Sequence, residues 1–404
     1  RAARGEFLAF VDSDDTVDRH AYRYTITTLR RTGSDFAVMP YRRLVRNAEH
    51  PAGPWIAEAH AEERLATGLS DDPSIQVNAV AWSKVYRTSF WRAHELSFPE
   101  GILYEDQPVS TRAYALADRF DVLTHPAINW RVRDDGSSIS QAVLNVRNTR
   151  DHLRVALDSL SFLAANGLTA ARRARLEQLL SNDYSHMIPM LPDASAEQWH
   201  EFVAALRTLV EEVGDEHEVW ASVPARNKVA FSLIVADRRD DLTAFLLGGG
   251  WQADQLESRV VGGTIEADFG RLTEHLAGVA PEAFRLSEFQ TRLRSRTQRI
   301  RWRDDGRLEL HGHAAITGLD PATHDVDISA ELVLGDTRVP IEIGWTEDEL
   351  RTASFATPNT DGTKAHFRLV VDPFAAGVEP GDWSIELTLT AGGISRSGRL
   401  QDRR

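Results

Sequence analysis

The chain has 404 residues, no cysteine and a formal net charge of −14, from 46 basic and 60 acidic side chains. That length accommodates two or three domains. The lack of cysteine rules out disulfides and cysteine-ligated zinc and fits a reducing cytoplasm, while the acidic balance argues against broad nucleic-acid binding, which needs a basic footprint. No run approaches the roughly 18 apolar residues of a transmembrane helix, and the opening residues carry no signal-peptide pattern. Only three of the basic residues are lysines (Lys84, Lys228 and Lys364), a bias that reads as that of a high-GC genome.

Phe7 to Val11 is an unbroken apolar run, which predicts a strand buried on both faces of an α/β sheet. Such a strand needs neighbours, so a further part of the domain is expected upstream of Arg1. The run ends in Asp12-Ser13-Asp14-Asp15-Thr16. Ligands of open α/β sheets sit at the carboxyl ends of strands, and like charges crowded there are costly without a cation. Oxygen-only donors suit Mg²⁺ or Mn²⁺, so the cluster predicts a divalent-metal site that also holds a phosphate. The plainer reading is that Asp15 or Thr16 caps the next helix, which needs only one such residue.

An amphipathic helix is expected over 21–29, stopped by Gly33, then a strand over 35–40. Residues 41–75 read as polar loop with Pro51, Pro54 and Pro73 as breakers. A short helix is expected over 89–94 and another over 107–117, with Pro108 in its first turn. Glu105-Asp106 precedes that helix. Asp106 would serve as its cap, or as a carboxylate held ionised by the helix dipole and so fit to act as a general base. A strand over 127–133 carries Arg131 and Arg133 on one face, and the Gly136-Ser137-Ser138 loop follows. Together these form either a diphosphate clamp or a solvated strand with a turn.

Residues 141–250 read as helical. Leucines recur at helical spacing from Leu153, and Ser195 and Gln198 form a capping-box pattern. Residues 251–296 are mixed. From 297 to 404 short β-rich runs alternate with turn signals, the pattern of an antiparallel, immunoglobulin-like sandwich. His311 and His313 in that region are read as ordinary half-buried side chains rather than as a metal pair, and Trp302, Trp345 and Trp383 as core.

The ordered set of motifs resembles the family 2 glycosyltransferases of the GT-A fold, closest to the bacterial cell-wall-polymer group that includes the wall-teichoic-acid enzymes. It runs from Val11-Asp12-Ser13-Asp14-Asp15 through Trp82-Ser83-Lys84-Val85-Tyr86-Arg87 and Tyr104-Glu105-Asp106 to Arg131-Val132-Arg133 with the serine loop. The likeness covers residues 1 to about 141. It implies a partial GT-A, Rossmann-like domain (1–141), then a helical region (142–250), a linker (251–296) and an accessory β-sandwich (297–404). It also implies inverting transfer from a nucleotide-diphosphate sugar to a hydroxyl of a cell-envelope polymer or glycan. Asp14 and Asp12 would hold Mn²⁺ or Mg²⁺. Asp106, with Glu105 as fallback, would be the base. Asp12, Arg131, Arg133 and Ser138 would bind the diphosphate, and Trp82 and Lys84 would line the acceptor side.

The family opens with a nucleotide-base-binding segment that has no counterpart after Arg1. The likeness also implies a cytoplasmic enzyme at the inner membrane face, peripheral membrane association, and homo-oligomers through the β domain. Two rivals stand. Phe10 to Thr16 also fits the first motif of haloacid-dehalogenase-type phosphatases, with Asp12 as nucleophile, Asp14 as acid/base and Lys84 as the required lysine. The other is a non-enzymatic polysaccharide-binding or assembly protein.

Overall fold

The structure, a computed structural model, describes residues 3–46, 48–132, 144–252, 257–321, 323–346, 365–374 and 380–401. Two compact units emerge, Arg1–Val219 and Trp220–Arg404. The division falls inside the stretch read from the sequence as one helical region.

The first unit runs β1 (Phe7–Ala9), β2 (Thr16–Val17), α1 (Ala21–Thr32), β3 (Phe36–Val38), β4 (Tyr41–Val45), β5 (Ala48–Pro51), α2 (Pro54–Ala59), β6 (Arg64–Thr67), β7 (Lys84–Arg87), α3 (Thr88–Ala93), α4 (Asp106–Leu116), β8 (Phe120–Val122) and β9 (Ile128–Val132). Helices α5 (Val146–Ala165), α6 (Thr169–Gln178) and α7 (Ala196–Val213) follow, with a π-helical turn over Leu179–Asp183. Five strands form a sheet in the order β1-β7-β3-β8-β6, and β2-β9-β4-β5 form a second one. β7 is antiparallel to both β1 and β3, so β1 and β3 run the same way, and β8 is parallel to β3. The carboxyl ends of β1 and β3 therefore share one sheet edge with the start of β7.

Alternation along β3 shows why this sheet is covered on both faces. Phe36 and Val38 join Tyr86, Tyr114, Phe120 and Leu163 on one side. Ala37 joins Ala21, Leu29, Trp82 and Val85 on the other. Period two sends successive side chains to opposite faces, and all three β3 residues are buried. Deleting a ring such as Phe36 from a core like this costs about 3–5 kcal/mol. Helix α1 buries Ala21, Thr25, Thr28 and Leu29, the helical spacing, and stops at Gly33, whose φ of 73° suits glycine.

Two expectations need correcting here. The first strand is half-buried and lies at the sheet's edge among the described strands, with Val11 45% exposed. It is not enclosed on both faces. Residues 41–75 are not plain loop. β4 runs parallel to β9, and β4, β5 and β6 were hidden because their faces are largely polar and exposed, so no apolar alternation marks them.

The second unit holds α9 (Ala225–Val235) and α10 (Arg239–Leu247), with α8 (His217–Ser222) at the division, then a hairpin of β10 (Glu257–Val261) and β11 (Thr264–Asp268). Strands β12 (Leu293–Trp302), β13 (Leu308–Ile316), β14 (Val326–Leu334), β15 (Thr337–Trp345), β16 (His366–Val371), β17 (Ser384–Ala391) and β18 (Ile394–Arg399) complete it. All seven belong to one antiparallel sheet, ordered β12-β13-β16-β15-β14-β17-β18. The sheet curls until its two ends meet, with Thr297 N–H donating to Gln401 O at 3.0 Å. Its inner face packs Leu310, Phe367, Leu369, Leu387 and Leu389. The immunoglobulin-like sandwich expected from the strand spacing is therefore corrected to a single curled sheet, since spacing alone does not say which strands pair. Trp302, expected in the core, is 66% exposed. His311 pairs with Glu309 and His313 with His366, so these two histidines go to different partners.

Candidate active site

The shared sheet edge gathers the acidic motifs. After β1 the chain turns through Asp12–Asp15, closed by Asp15 N–H to Asp12 O at 3.2 Å. Strand β9 pins that turn, because Arg131 N–H donates to Asp15 Oδ1 at 2.8 Å and Arg131 Nε to Asp14 O at 2.9 Å. Asp15 is thus not a helix cap. The residue before α1 is His20, and no side chain caps that helix. Burial pushes the Asp15 carboxyl above its ordinary range, and its Oδ2 is buried without a hydrogen bond. Burial also raises Asp12, and the charges of Asp14 and Glu105 raise it further.

Asp106 arrives from the far side of the sequence at the first turn of α4. Its Oδ2 accepts from Ala81 N–H at 3.0 Å. Burial raises its pKa most, Glu105 and Asp12 push the same way, and the Ala81 hydrogen bond and Lys84 oppose them. Desolvation of this carboxylate thus works against the helix dipole at the same end of α4. Glu105 itself precedes the helix and makes no capping bond.

Lys84 and Trp82 do not line an acceptor surface. Lys84 is fully buried, and its Nζ donates to Asn78 O at 2.7 Å and Val80 O at 2.8 Å above the Tyr114 ring. Burial pulls its pKa down to about 7, opposed by Asp106. Trp82 is 7% exposed and packs edge-on against Tyr41. Both belong to the layer beneath the site, which corrects their sequence-based placement. The motif around them was legible, but whether its residues face inward depends on β7 being an interior strand. Arg133 and Ser138 lie outside the described residues.

The segment before β7 is held by residues the sequence did not single out. Asn78 Nδ2 donates to Met39 O at 3.0 Å and to His60 Nε2, while Ser83 Oγ donates to Asn78 Oδ1 at 2.7 Å. Tyr114 Oη donates to Asn78 O at 3.0 Å, and Ser110 Oγ to Ala79 O. Behind Glu105-Asp106 stands Tyr104, whose φ of 62° is rarely adopted outside glycine. Its hydroxyl donates to Asn148 Oδ1, and Leu103 N–H to Asp151 Oδ2 at 3.1 Å. Gln107 accepts from Arg175 Nη2 at 2.7 Å, and the same guanidinium reaches Asp183 Oδ2 at 2.9 Å. No short-range sequence signal links α4 to these helices.

Among the described residues, no three His, Asp or Glu side chains converge as a ready-made metal site. A divalent ion bound through one or two carboxylates plus substrate phosphates needs no such trio, and the buried, unpartnered Asp15 Oδ2 beside two further carboxylates fits that mode. A cavity of about 410 Å³ between the 94–102 loop, α4 and α5 is lined by Pro99, Arg112, Arg154 and Asp158, and by none of the site's aspartates.

Fold and site together define an α/β domain whose acidic motifs gather at its strand ends. The chain is 32% identical over 136 residues to EpsH of Bacillus subtilis (strain 168), provisionally named a glycosyltransferase, covering 32% of this chain and 39% of that protein. It is 24% identical over 186 residues to TarS of Staphylococcus aureus (strain Mu50 / ATCC 700699), a poly(ribitol-phosphate) β-N-acetylglucosaminyltransferase, covering 46% of this chain and 31% of TarS. The poly(ribitol-phosphate) β-glucosyltransferase of Bacillus spizizenii matches at 24% over 224 residues, 54% of this chain and 34% of that one. These matches thus span between about a third and two fifths of the relatives' length.

Among solved structures, that of S. aureus TarS superimposes with a TM-score of 0.53 at 16% identity, over 100% of this chain and 64% of that one. TarS 1-349 in complex with UDP-GlcNAc gives 0.50 at 20% identity, over 67% and 74%. At such identities the likeness establishes a shared fold. No protein-family description matches the chain. The chain's relatives are glycosyltransferases, as the motif resemblance implied, and the names of TarS and the Bacillus spizizenii enzyme tie those two to poly(ribitol phosphate). Among the described residues no helix is long and apolar enough to cross a membrane.

Proposed function

We propose that this chain carries the metal-binding and base-bearing part of an inverting glycosyltransferase, which moves a sugar from a nucleotide diphosphate to a hydroxyl of a cell-envelope polymer. One observation carries the reading. Two acidic motifs far apart in sequence meet at one sheet edge, where Asp106 is bonded to Ala81 N–H and lies within the field of Asp12.

Asp106 takes the proton of the acceptor hydroxyl as that oxygen attacks the anomeric carbon from the face opposite the diphosphate. The bond from the anomeric carbon to the phosphate oxygen breaks, and the nucleoside diphosphate leaves with its electron pair. A carboxylate raised above its ordinary pKa is a stronger base once deprotonated, which suits this step. Asp14 and Asp12 would hold Mn²⁺ or Mg²⁺, which supplies positive charge to the departing diphosphate. Arg131 keeps the Asp12–Asp15 turn in place through its backbone and Nε contacts. UDP-sugars are the first donors to try, since a TarS fragment of this fold was crystallised with UDP-GlcNAc.

The phosphatase rival loses support at Lys84, whose ammonium is buried and donates to the main-chain carbonyls of Asn78 and Val80. The test is Mn²⁺-dependent release of nucleoside diphosphate across a panel of nucleotide sugars, beside p-nitrophenyl phosphate. Turnover of one sugar nucleotide, with transfer lost in Asp106→Asn, is expected. Phosphatase turnover lost in Asp12→Asn, with no sugar-nucleotide turnover, would overturn the reading.

A further inference from the structure

Strand β12 carries Arg294, Arg296, Arg299 and Arg301, and Arg303 follows it. Simple alternation would put Arg294 and Arg296 on one face and Arg299 and Arg301 on the other. The structure breaks that alternation with a bulge between Thr297 and Arg299. Arg294, Arg296, Arg299 and Arg301 lie opposite Ala315, His313, His311 and Glu309, which alternate along β13 and so share a face. The other face of β13 presents Leu310, Ala314 and Ile316 to the core. One extra residue therefore collects four arginines on the outside of the curled sheet.

The neighbouring strand adds Arg368, opposite His311. Beneath them Glu309 is buried and accepts from Arg301 Nε at 2.7 Å and Arg368 Nη2 at 2.6 Å, with Arg303 Nη1 at 3.7 Å. That buried carboxylate holds the Arg301 and Arg368 guanidinium groups in place and, as a single negative charge facing three arginines, leaves the group net positive. Asp305, in the hairpin beyond, engages Arg303 and Arg307. Arg294, Arg299 and Arg301 stay exposed and Arg296 half-exposed. In a chain of net charge −14 this is a local reversal of sign.

We propose that this arginine row binds a linear phosphodiester polymer, the acceptor class of the proposed transferase; the assignment of that polymer as acceptor rests on that reading. Alternate residues on a strand recur about every 6.4–6.8 Å, so the row from Arg294 to Arg301 extends roughly 20 Å. A row of that length matches repeated anionic groups along a chain better than one phosphate. The guanidinium fork pairs with phosphate oxygens in two-point contacts.

The test is equilibrium binding of fluorescently labelled poly(ribitol phosphate) to the 404-residue chain, without donor, across a series of salt concentrations. Binding that weakens with salt is expected. In Arg296→Gln/Arg299→Gln the affinity should fall at least tenfold, and the slope of log affinity against log salt should flatten by about one for each arginine–phosphate pairing removed. Arg294→Glu should weaken it further. Neither variant touches Glu309, and unchanged thermal melts confirm that they fold. Release of nucleoside diphosphate is measured on the same samples, so that polymer binding and the transferase reading stand or fall separately. Equal affinity in the variants overturns the proposal. So does tighter binding, at equal phosphate, of single-stranded DNA or of phosphatidylglycerol vesicles than of the polymer.

Discussion

Lys84 and Asp106 hold opposite ends of one peptide group. Lys84 Nζ donates to the carbonyl of Val80 at 2.8 Å, and the N–H of the same Val80–Ala81 peptide donates to Asp106 Oδ2 at 3.0 Å. An ammonium on the oxygen polarises the amide and strengthens its N–H as a donor. Lys84 thereby acts on the proposed base through a single amide and never meets the substrate.

Removing that ammonium should show first in the pH profile. Lys84→Met leaves Asn78 O its bond from Tyr114 Oη, and Val80 O keeps within reach the Ser83 hydroxyl, whose one proton can turn to it from Asn78 Oδ1. It also removes a buried charge whose pKa burial has lowered to about 7, so the loss of stability should be small. Asp106 loses a hydrogen bond's strength and a positive neighbour, and its pKa rises further. The expected result is kcat reduced about 10- to 100-fold, with the acidic limb of the rate profile moved upward and KM for donor little changed. A melting point that collapses with an unmoved limb would make Lys84 merely structural.

The division of roles between the two acidic motifs gives a second test. Asp106→Asn should retain donor binding and lose transfer by about 10²- to 10⁴-fold. Asp14→Ala should lose metal-dependent donor binding itself. Because the Asp106 pKa is raised, wild-type transfer should fall as pH drops through a value above the ordinary aspartate range. Isothermal titration of donor with each variant, beside pH-dependent kinetics, separates the two effects.

Much of this was legible in the sequence where chemistry is local. The acidic turn, Gly33 as a helix stop, the Ser195–Gln198 capping box and the span of β14 are all set by neighbours in the chain. What the sequence hid depends on distant partners. Lys84 looks like a surface cation until β7 is placed between β1 and β3. The arginines of β12 look two-faced until the bulge is seen. The seven-stranded curl depends on Thr297 meeting Gln401, which no turn signal announces.

The carboxylate cluster also predicts how stability responds to cations and pH. Asp12, Asp15 and Asp106 have folded-state pKa values above their unfolded ones. Their contribution is therefore favourable below the unfolded aspartate value of about 3.9 and is lost as pH rises through the folded values. At neutral pH the cluster is a net liability that a bound cation relieves. Mn²⁺ should raise the wild-type melting temperature at pH 7.5. Asp12→Asn should raise it without metal and blunt the Mn²⁺ response. Differential scanning fluorimetry with and without Mn²⁺ reads both, and a metal shift unaltered in Asp12→Asn and Asp14→Ala would place the ion elsewhere.

Arg175 and Asp183 form the counterpart, a buried pair whose loss should be felt in the active site. Asp183 is held far below the usual carboxylate range by Arg175 and His152 against the cost of burial. Its stabilisation is therefore present above the unfolded aspartate value and is lost as pH falls through the folded one. Asp183 sits in the π-helical turn, a feature often found at functional positions. Breaking such a pair leaves an uncompensated charge and costs about 3–5 kcal/mol. Asp183→Asn should therefore lower the melting temperature sharply. It also frees the guanidinium that bonds Gln107, the residue after Asp106. The more telling variant is Gln107→Leu, which leaves the ion pair intact and removes only that link. It should keep the melting temperature within a few degrees, keep donor affinity, and lower kcat about tenfold through misplacement of the base. If Gln107→Leu transfers sugar at the wild-type rate, the buried pair supports the helices alone and α4 needs no help from it to present Asp106.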